Sequence, residues 1–92
     1  MILITKQSKP VSQIKKGDIV YVDGHKLRVV DHFIFMKHKD TNEMIIQLEN
    51  EEGTKTYQLR YFDDQLETSL EFFYLQKGFQ YFKVENIKEV SW

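Results

Sequence analysis

The residue pair Asp23-Gly24 constrains the fold of this chain most strongly, because it lies between two runs of alternating apolar and polar residues. Asp-Gly tolerates the positive φ angles of a type I′ turn, which joins two antiparallel strands through two residues. A turn here places Val22 opposite His25. One face of the predicted hairpin then holds Val20, Val22, Leu27 and Val29. The other face holds Ile19, Tyr21, Lys26 and Arg28, so an apolar inner face is backed by a partly basic outer face.

Two further hairpins are predicted from the same alternation. The second runs from Glu43 to Glu49 and from Thr54 to Phe62, with its turn at Glu52-Gly53. The third joins Leu70–Leu75 to Phe79–Val84 through the loop Gln76-Lys77-Gly78, whose glycine suits a left-handed bulge position. Its expected register sets Glu71 opposite Lys83. Both faces of this third hairpin are apolar, so its outer face is either covered or exposed to a partner.

The remaining strands complete the expected architecture. The long strand from His25 to Met36 is expected to bend or bulge near Asp31-His32. Ile2–Thr5 and a short strand within Glu85–Trp92 are expected to pair and close the sheet. Residues 1–92 are therefore predicted to form one all-β domain, a small SH3-like barrel of about five to seven antiparallel strands. The predicted core is Val20, Val22, Leu27, Val29, Phe33, Ile46, Leu48, Tyr57, Leu59, Leu70, Phe72, Tyr74, Phe82 and Val84.

The segment Ile14–Glu67 resembles the SH3-like barrels of translation and transcription proteins, in particular KOW-type modules and the first domain of bacterial elongation factor P. The resemblance lies in Gly17-Asp18 followed by alternating hydrophobic residues, the glycine turn, the Val-rich strand from Leu27 and the hairpin that ends at Glu52-Gly53. It implies a small barrel that works in a nucleoprotein complex. The chain departs from the KOW pattern where a further glycine is usual and Lys26-Leu27-Arg28 stands instead. It also lacks the glycines that flank the modified lysine loop of elongation factor P, so that lysine's role is not carried over to Lys37-His38-Lys39.

Composition restricts the class of protein further. The chain has 92 residues, no cysteine and a net charge of −1, which argues against disulfides, a thiolate metal site and a strong general affinity for nucleic acid. No apolar run approaches the length of a transmembrane helix or a signal peptide, so a soluble, cytoplasmic protein without a membrane partner is expected. Charge is uneven, because residues 1–40 are net basic and residues 41–92 are net acidic. The absence of alanine and the excess of lysine over arginine are typical of proteins encoded by genomes rich in A and T, among them small phage proteins and proteins of such bacteria.

Enzymatic chemistry is not expected. The three histidines, His25, His32 and His38, have no metal-ligand spacing and are expected at the surface or an edge. The acidic loop is expected to be solvated, and the alternative is an acidic patch that meets a basic partner. Its carboxylates are Asp63, Asp64, Glu67 and Glu71. No phosphate-binding glycine loop or nucleophile motif is present, so neither a catalytic residue nor a cofactor is predicted.

Two surfaces are candidates for binding, and they imply different functions. The first would bind nucleic acid or a nucleoprotein complex, with cations for phosphate and a ring for stacking. Its predicted residues are Tyr21, Lys26, Arg28, Lys37, His38 and Lys39. The second would let a small regulator or inhibitor, of the kind that phages encode, dock on a host protein through its rings or its acidic loop. Its predicted residues are Phe73, Phe79 and Tyr81, with Trp92 as a further ring; a homodimer through the same face is a third alternative.

Overall fold

A computed structural model describes residues 1–92 as a mostly-β protein with one eight-stranded mixed sheet. The strands are β1 (Leu3–Lys6), β2 (Ile19–Val22), β3 (His25–Lys37), β4 (Asn42–Glu49), β5 (Thr56–Phe62), β6 (Glu71–Gln76), β7 (Gln80–Lys83) and β8 (Glu89–Ser91). Their order across the sheet is β1-β8-β2-β3-β4-β5-β6-β7. β1 and β8 are parallel, and all other neighbouring strands are antiparallel. A 3₁₀ turn at Val11–Gln13 and the short helix α1 (Leu66–Ser69) complete the secondary structure.

The first hairpin has the predicted turn and the predicted register. Asp23 and Gly24 have φ angles of 49° and 80°, as a type I′ turn requires. Val22 pairs with His25, and the same register continues to the pair of Ile19 and Arg28. The predicted inner face is buried, whereas the opposite face is open to solvent at most positions. The local turn chemistry therefore decides which side chains enter the core.

The second hairpin also has the predicted register, but its connection is longer than a tight turn. Glu49 pairs with Thr56, and Ile46 pairs with Leu59. The strands stop before the turn because Asn50 takes over the hydrogen bonds of the connecting loop. Its side-chain oxygen accepts from the backbone nitrogens of Thr54 and Lys55 at 2.8 and 3.0 Å.

The predicted register of the third hairpin was wrong by two residues. Phe73, rather than Glu71, lies opposite Lys83, and the loop is Lys77-Gly78-Phe79. Gly78 and Phe79 both have positive φ angles, 88° and 63°. A shift of two residues keeps every side chain on its predicted face. Glu71 and Lys83 still form an ion pair at 3.0 Å, but diagonally across the two strands.

Strand β3 contains the expected bulge, and the bulge overturns two placements. The pairing with β4 shifts between Val29 and Asp31, so one residue is inserted there. An inserted residue reverses the alternation beyond it. Phe33, predicted in the core, is therefore on the opposite face and 36% exposed, whereas His32 turns inward and is half-buried.

The sheet is not closed into a barrel, and it has eight strands with one parallel pair, so the predicted closed barrel of five to seven antiparallel strands was wrong in these respects. β8 pairs with β1 as expected, but it lies between β1 and β2, which leaves β1 and β7 as two separate edges. After the four residues of β7 the chain turns at Asn86, with φ 66°. It then forms β8, which lies near the other end of the strand order. No strand remains to join β7 to β1.

The buried core lies inside the curl of the sheet and matches most of the prediction. Nine of the predicted core residues are buried, and Tyr57 and Val84 pack against them. Tyr74 is half-buried, and Phe82 is 41% exposed because it lies on the edge strand β7. The core also takes in Ile2, Ile14, Val90 and Trp92, which lie outside the three predicted hairpins. Tyr61 joins them from the second hairpin, where the alternation puts it on the same face as Leu59 although it was not in the predicted core. None of the helical segments is long and apolar enough to cross a membrane.

Candidate interaction face

A group of aromatic side chains surrounds Arg60 on the face of the sheet turned away from the core. We call this the outer face, and it spans β3 to β7. Its members are Phe33, Phe35, Ile45, Gln47, Gln58, Arg60, Phe73 and Tyr81. Ile45 pairs with Arg60 across β4 and β5, and Gln58 pairs with Phe73 across β5 and β6, so the registers bring these side chains side by side. Ile45 is only 1% exposed but lies outside the main core cluster.

The guanidinium of Arg60 is in contact with three rings. Its central carbon lies 4.0 Å from the ring centroid of Phe73, 5.5 Å from that of Phe35 and 5.9 Å from that of Tyr81. These distances are within the range of cation–π attraction. The cation therefore links rings from three strands, β3, β6 and β7, and Phe35 on β3 is far in sequence from the other two rings.

A chain of hydrogen bonds through two glutamine side chains joins Arg60 to Tyr81 and stabilises this arrangement. The Nε of Arg60 donates to Oε1 of Gln58 at 3.0 Å, and Nε2 of Gln58 donates to Oε1 of Gln47 at 2.9 Å. Nε2 of Gln47 then donates to the hydroxyl of Tyr81 at 2.7 Å. Because each amide uses both its acceptor and its donor, the orientation of every group in the chain is fixed. The face is thus organised before any partner arrives.

No carboxylate neutralises Arg60. Glu71 lies directly opposite on β6, but its carboxylate accepts a hydrogen bond from Lys83, and this bond raises the pKa of that lysine. The protein has four ion pairs, and none of them includes Arg60. Arg28, the other arginine, is bound to Glu49. Arg60 is therefore the one guanidinium free for an external anion.

The outer face continues into an exposed apolar stretch of β3 that sequence reasoning did not mark as a site. β2 pairs with β3 only as far as Arg28, so the edge beyond the first bulge has no neighbouring strand. The consecutive residues Phe33 to Met36 are 36 to 49% exposed. Of these residues only Phe33 had been given a role, as a core residue, and only the strand order reveals the open edge.

The residues predicted to bind a protein are not all on one surface. Phe73 and Tyr81 are half-buried members of the outer face. Phe79 lies at the tip of the third hairpin and is 90% exposed. Trp92 is buried in the core, where its Nε1 donates to the carbonyl oxygen of Lys9 at 2.8 Å. The outer face of the third hairpin is thus neither fully covered nor fully open.

The predicted nucleic-acid-binding residues are divided between the two ends of β3. Tyr21 is exposed beside Lys26, its cross-strand partner. Lys26 lies 3.8 Å from Glu51, and Arg28 is paired with Glu49. The second group, Lys37, His38 and Lys39, is exposed at the other end of the strand. A strand of this length separates the two groups by roughly 30 Å, so they do not form one continuous basic stripe.

The other candidate chemical groups serve local structure. His32, expected at the surface or an edge, lies on the unpaired edge of β3, where the bulge turns its ring inward onto Tyr61 and Ile14. The carboxylate of Asp63 accepts from the side chain and backbone of Asn42, which together with Thr41 lower its pKa. Asp64 accepts from the same threonine. No group of three His, Asp or Glu side chains is close enough to hold a metal ion.

The outer face combines rings, one uncompensated cation and preset hydrogen bonds, and this combination suits recognition of another molecule. Comparison with known proteins adds no functional assignment: no protein-family model, curated protein or solved structure matches this chain.

Proposed function

We propose that this protein is a non-enzymatic binding module that docks on a protein partner through its outer face. The observation that carries the proposal is the continuity of the exposed run Phe33–Met36 with the rings around Arg60. Contiguous exposed apolar surface marks interaction sites, and arginine and tyrosine are enriched among the residues that dominate binding energy. A small regulator that binds a host protein fits this surface.

The open strand edge adds a second reason for a protein partner. The backbone nitrogen of His32 already donates to the side chain of Asp31, but beyond it the backbone donors and acceptors on the unpaired edge of β3 are available to an extended segment of another chain. The exposed side chains of that stretch lie on both of its faces, and a strand laid along the edge would cover both sets. A nucleic acid lacks the regularly spaced peptide N–H and C=O groups that would pair with this strand edge.

A capture experiment with matched variants tests the proposal. The immobilised protein is incubated with nuclease-treated cell lysate, and retained proteins are compared with those retained by Phe35→Ser and by Leu3→Ser. Phe35 belongs to the outer face, whereas Leu3 is equally apolar and 61% exposed on the opposite edge strand. We expect Leu3→Ser to retain the same partner as the native protein and Phe35→Ser to lose it. Equal retention by both variants, with circular dichroism confirming that both are folded, would contradict docking through the outer face.

A second candidate function is contact with nucleic acid or a nucleoprotein complex. It is supported by the exposed ring of Tyr21 beside Lys26, and by the resemblance of residues 14–67 to KOW-type modules and to the first domain of elongation factor P. The antiparallel run of β2 to β5 is compatible with an SH3-like arrangement of that segment, although the whole sheet is open. The acidic partners of Lys26 and Arg28 weaken this candidate, because a phosphate must compete with them.

An electrophoretic shift assay at low salt tests this second candidate. If Tyr21 stacks on a base and Lys26 contacts phosphate, the double variant Tyr21→Ala/Lys26→Gln should lose binding to single-stranded DNA or RNA. Binding of the native protein should also fall steeply as salt increases. Absence of any complex at low salt with either nucleic acid would eliminate the candidate.

A further inference from the structure

We infer that Arg60 is a receptor for a carboxylate on the docking partner, so that the outer face selects an acidic group flanked by apolar ones. This inference rests on the proposed function and specifies the chemistry of the partner. The juxtaposition that carries it is a guanidinium placed among Phe35, Phe73 and Tyr81 with no carboxylate bound to it.

The hydrogen bonds of Arg60 point to an external acceptor. Only its Nε has a protein partner, Oε1 of Gln58 at 3.0 Å. The two terminal amino groups have none within the protein. A planar guanidinium with both terminal groups free matches the two oxygens of a carboxylate, and such charge-assisted pairs are among the stronger hydrogen bonds in proteins. Held at its Nε and packed on Phe73, the side chain loses less freedom when it binds.

The surroundings favour a carboxylate of a protein over a phosphate. Glu71 is directly across from Arg60, and Glu43 lies on the same face at the next outward-facing position of β4. Neither is within ion-pair distance, and Lys83 holds the carboxylate of Glu71. A doubly charged phosphate would be repelled by these acidic neighbours more than a singly charged carboxylate. The rings beside Arg60 would meanwhile contact apolar groups next to that carboxylate.

A pair of small probes isolates the contribution of the charge. N-acetyl-phenylalanine and N-acetyl-phenylalanine amide share a ring and differ in whether they carry a carboxylate. Each is titrated into the ¹⁵N-labelled protein of residues 1–92, with the Nε–H signal of Arg60 and the backbone signals of Phe73 and Tyr81 as readouts. A ligand of this size is expected to half-saturate the site at about 1 to 10 mM. We expect saturable shifts with the acid and at least about tenfold weaker binding of the amide, as for a lost charge-assisted bond.

Variants at the two arginines complete the test. Arg60→Gln should abolish the preference for the acid, and Arg60→Lys should keep part of it, because lysine retains the charge but not the planar pair of donors. Arg28→Gln removes the other arginine, already bound to Glu49, and should leave the preference unchanged. Equal affinity for acid and amide would overturn the inference while leaving an apolar docking face intact. Absence of shifts on the outer face with both probes at 50-fold excess over about 1 mM protein would also overturn it, and the capture experiment would then decide the proposed function separately.

Discussion

The Nε2 atom of His32 lies 2.7 Å from the hydroxyl oxygen of Tyr61. The other ring nitrogen, Nδ1, lies 2.8 Å from the carbonyl oxygen of Ile14. A carbonyl oxygen can only accept, so Nδ1 carries a hydrogen, and Nε2 of the neutral ring accepts from the hydroxyl of Tyr61. This one imidazole therefore connects the loop before β2 to β5 across the long strand β3.

Replacing Tyr61 by Phe should destabilise the protein by about 1 to 2 kcal/mol, because it leaves Nε2 of the half-buried His32 without a donor. Chemical denaturation with urea measures the difference in the free energy of unfolding. Tyr57→Phe is the matched control, since the Tyr57 ring stacks on Phe72 at a centroid distance of 5.3 Å and its hydroxyl makes no hydrogen bond within the protein. A Tyr61→Phe variant as stable as Tyr57→Phe would contradict a stabilising role for the His32–Tyr61 bond.

Tyr61 should also make the protein sensitive to alkaline pH. Burial, with a smaller contribution from the charge of Asp63, raises the pKa of Tyr61 from 10.0 to about 12. The folded state then holds the phenol proton more tightly than the unfolded state, so this stability is complete below about pH 10 and is lost as pH rises towards 12. The full loss from this group is on the order of 2 to 3 kcal/mol. Urea denaturation from pH 9 to 12 should show a steeper fall for the native protein than for Tyr61→Phe, and parallel curves would refute this prediction.

The first hairpin and the outer face show what the sequence could and could not predict. Asp23-Gly24 fixes its own register because the turn requires a particular backbone conformation, which is a local property. The third hairpin offered no such constraint. Gly78 can take a positive φ in the predicted loop, Gln76-Lys77-Gly78, and in the observed loop, Lys77-Gly78-Phe79. Both loops leave the strand side chains on the same faces of the sheet, so the sequence pattern could not distinguish the two registers.

The placement of Phe33 and Arg60 depended on information that is not local. A bulge near Asp31 was expected, but its effect on alternation depends on how β4 pairs with both halves of β3. Arg60 lies in the predicted second hairpin, in the strand that was expected from Thr54 to Phe62. Its ring partners could not be identified because Phe35 and Tyr81 reach it only through the order of strands β3 to β7. Barrel closure likewise depended on where β8 inserts.

Asp23 should stabilise the docking of β8 as well as the first turn. Its Oδ1 accepts from the backbone nitrogens of Lys88 and Glu89 at 3.0 and 2.9 Å. Asp23→Ala removes both hydrogen bonds and should cost about 1 to 3 kcal/mol. Asp23→Asn keeps the side-chain oxygen and tolerates the φ of 49°, so it should remain within about 0.5 kcal/mol of the native protein. Urea denaturation followed by the fluorescence of Trp92, the single tryptophan, measures both, and an equal loss in the two variants would argue against the role of the oxygen.

Asp63 should contribute to stability at neutral pH and lose that contribution in acid. The side chain of Asn42 donates to its carboxylate, followed in importance by the backbone of Asn42 and the hydroxyl of Thr41, and these bonds lower its pKa below 3.8. The folded state therefore favours the ionised form. The resulting stability is present above about pH 4 and disappears as pH falls through the lower folded value.

The variant Asp63→Asn removes the titrating carboxylate. It also replaces one acceptor oxygen by an amide NH₂ group, which cannot accept the hydrogen bonds that Asn42 donates. It should be less stable than the native protein at pH 7 and should lose less stability between pH 5 and pH 2. Part of the acid sensitivity will remain, because hydrogen bonds from Lys9 and the backbone of Lys15 also lower the pKa of Asp18. Asp40→Asn is the control, since this carboxylate lies beside Thr41 in the β3–β4 connection, to which Asp63 is bonded, and accepts no hydrogen bond. If thermal unfolding shows the same difference between pH 5 and pH 2 for both variants, Asp63 does not hold the connection in the way the contacts indicate.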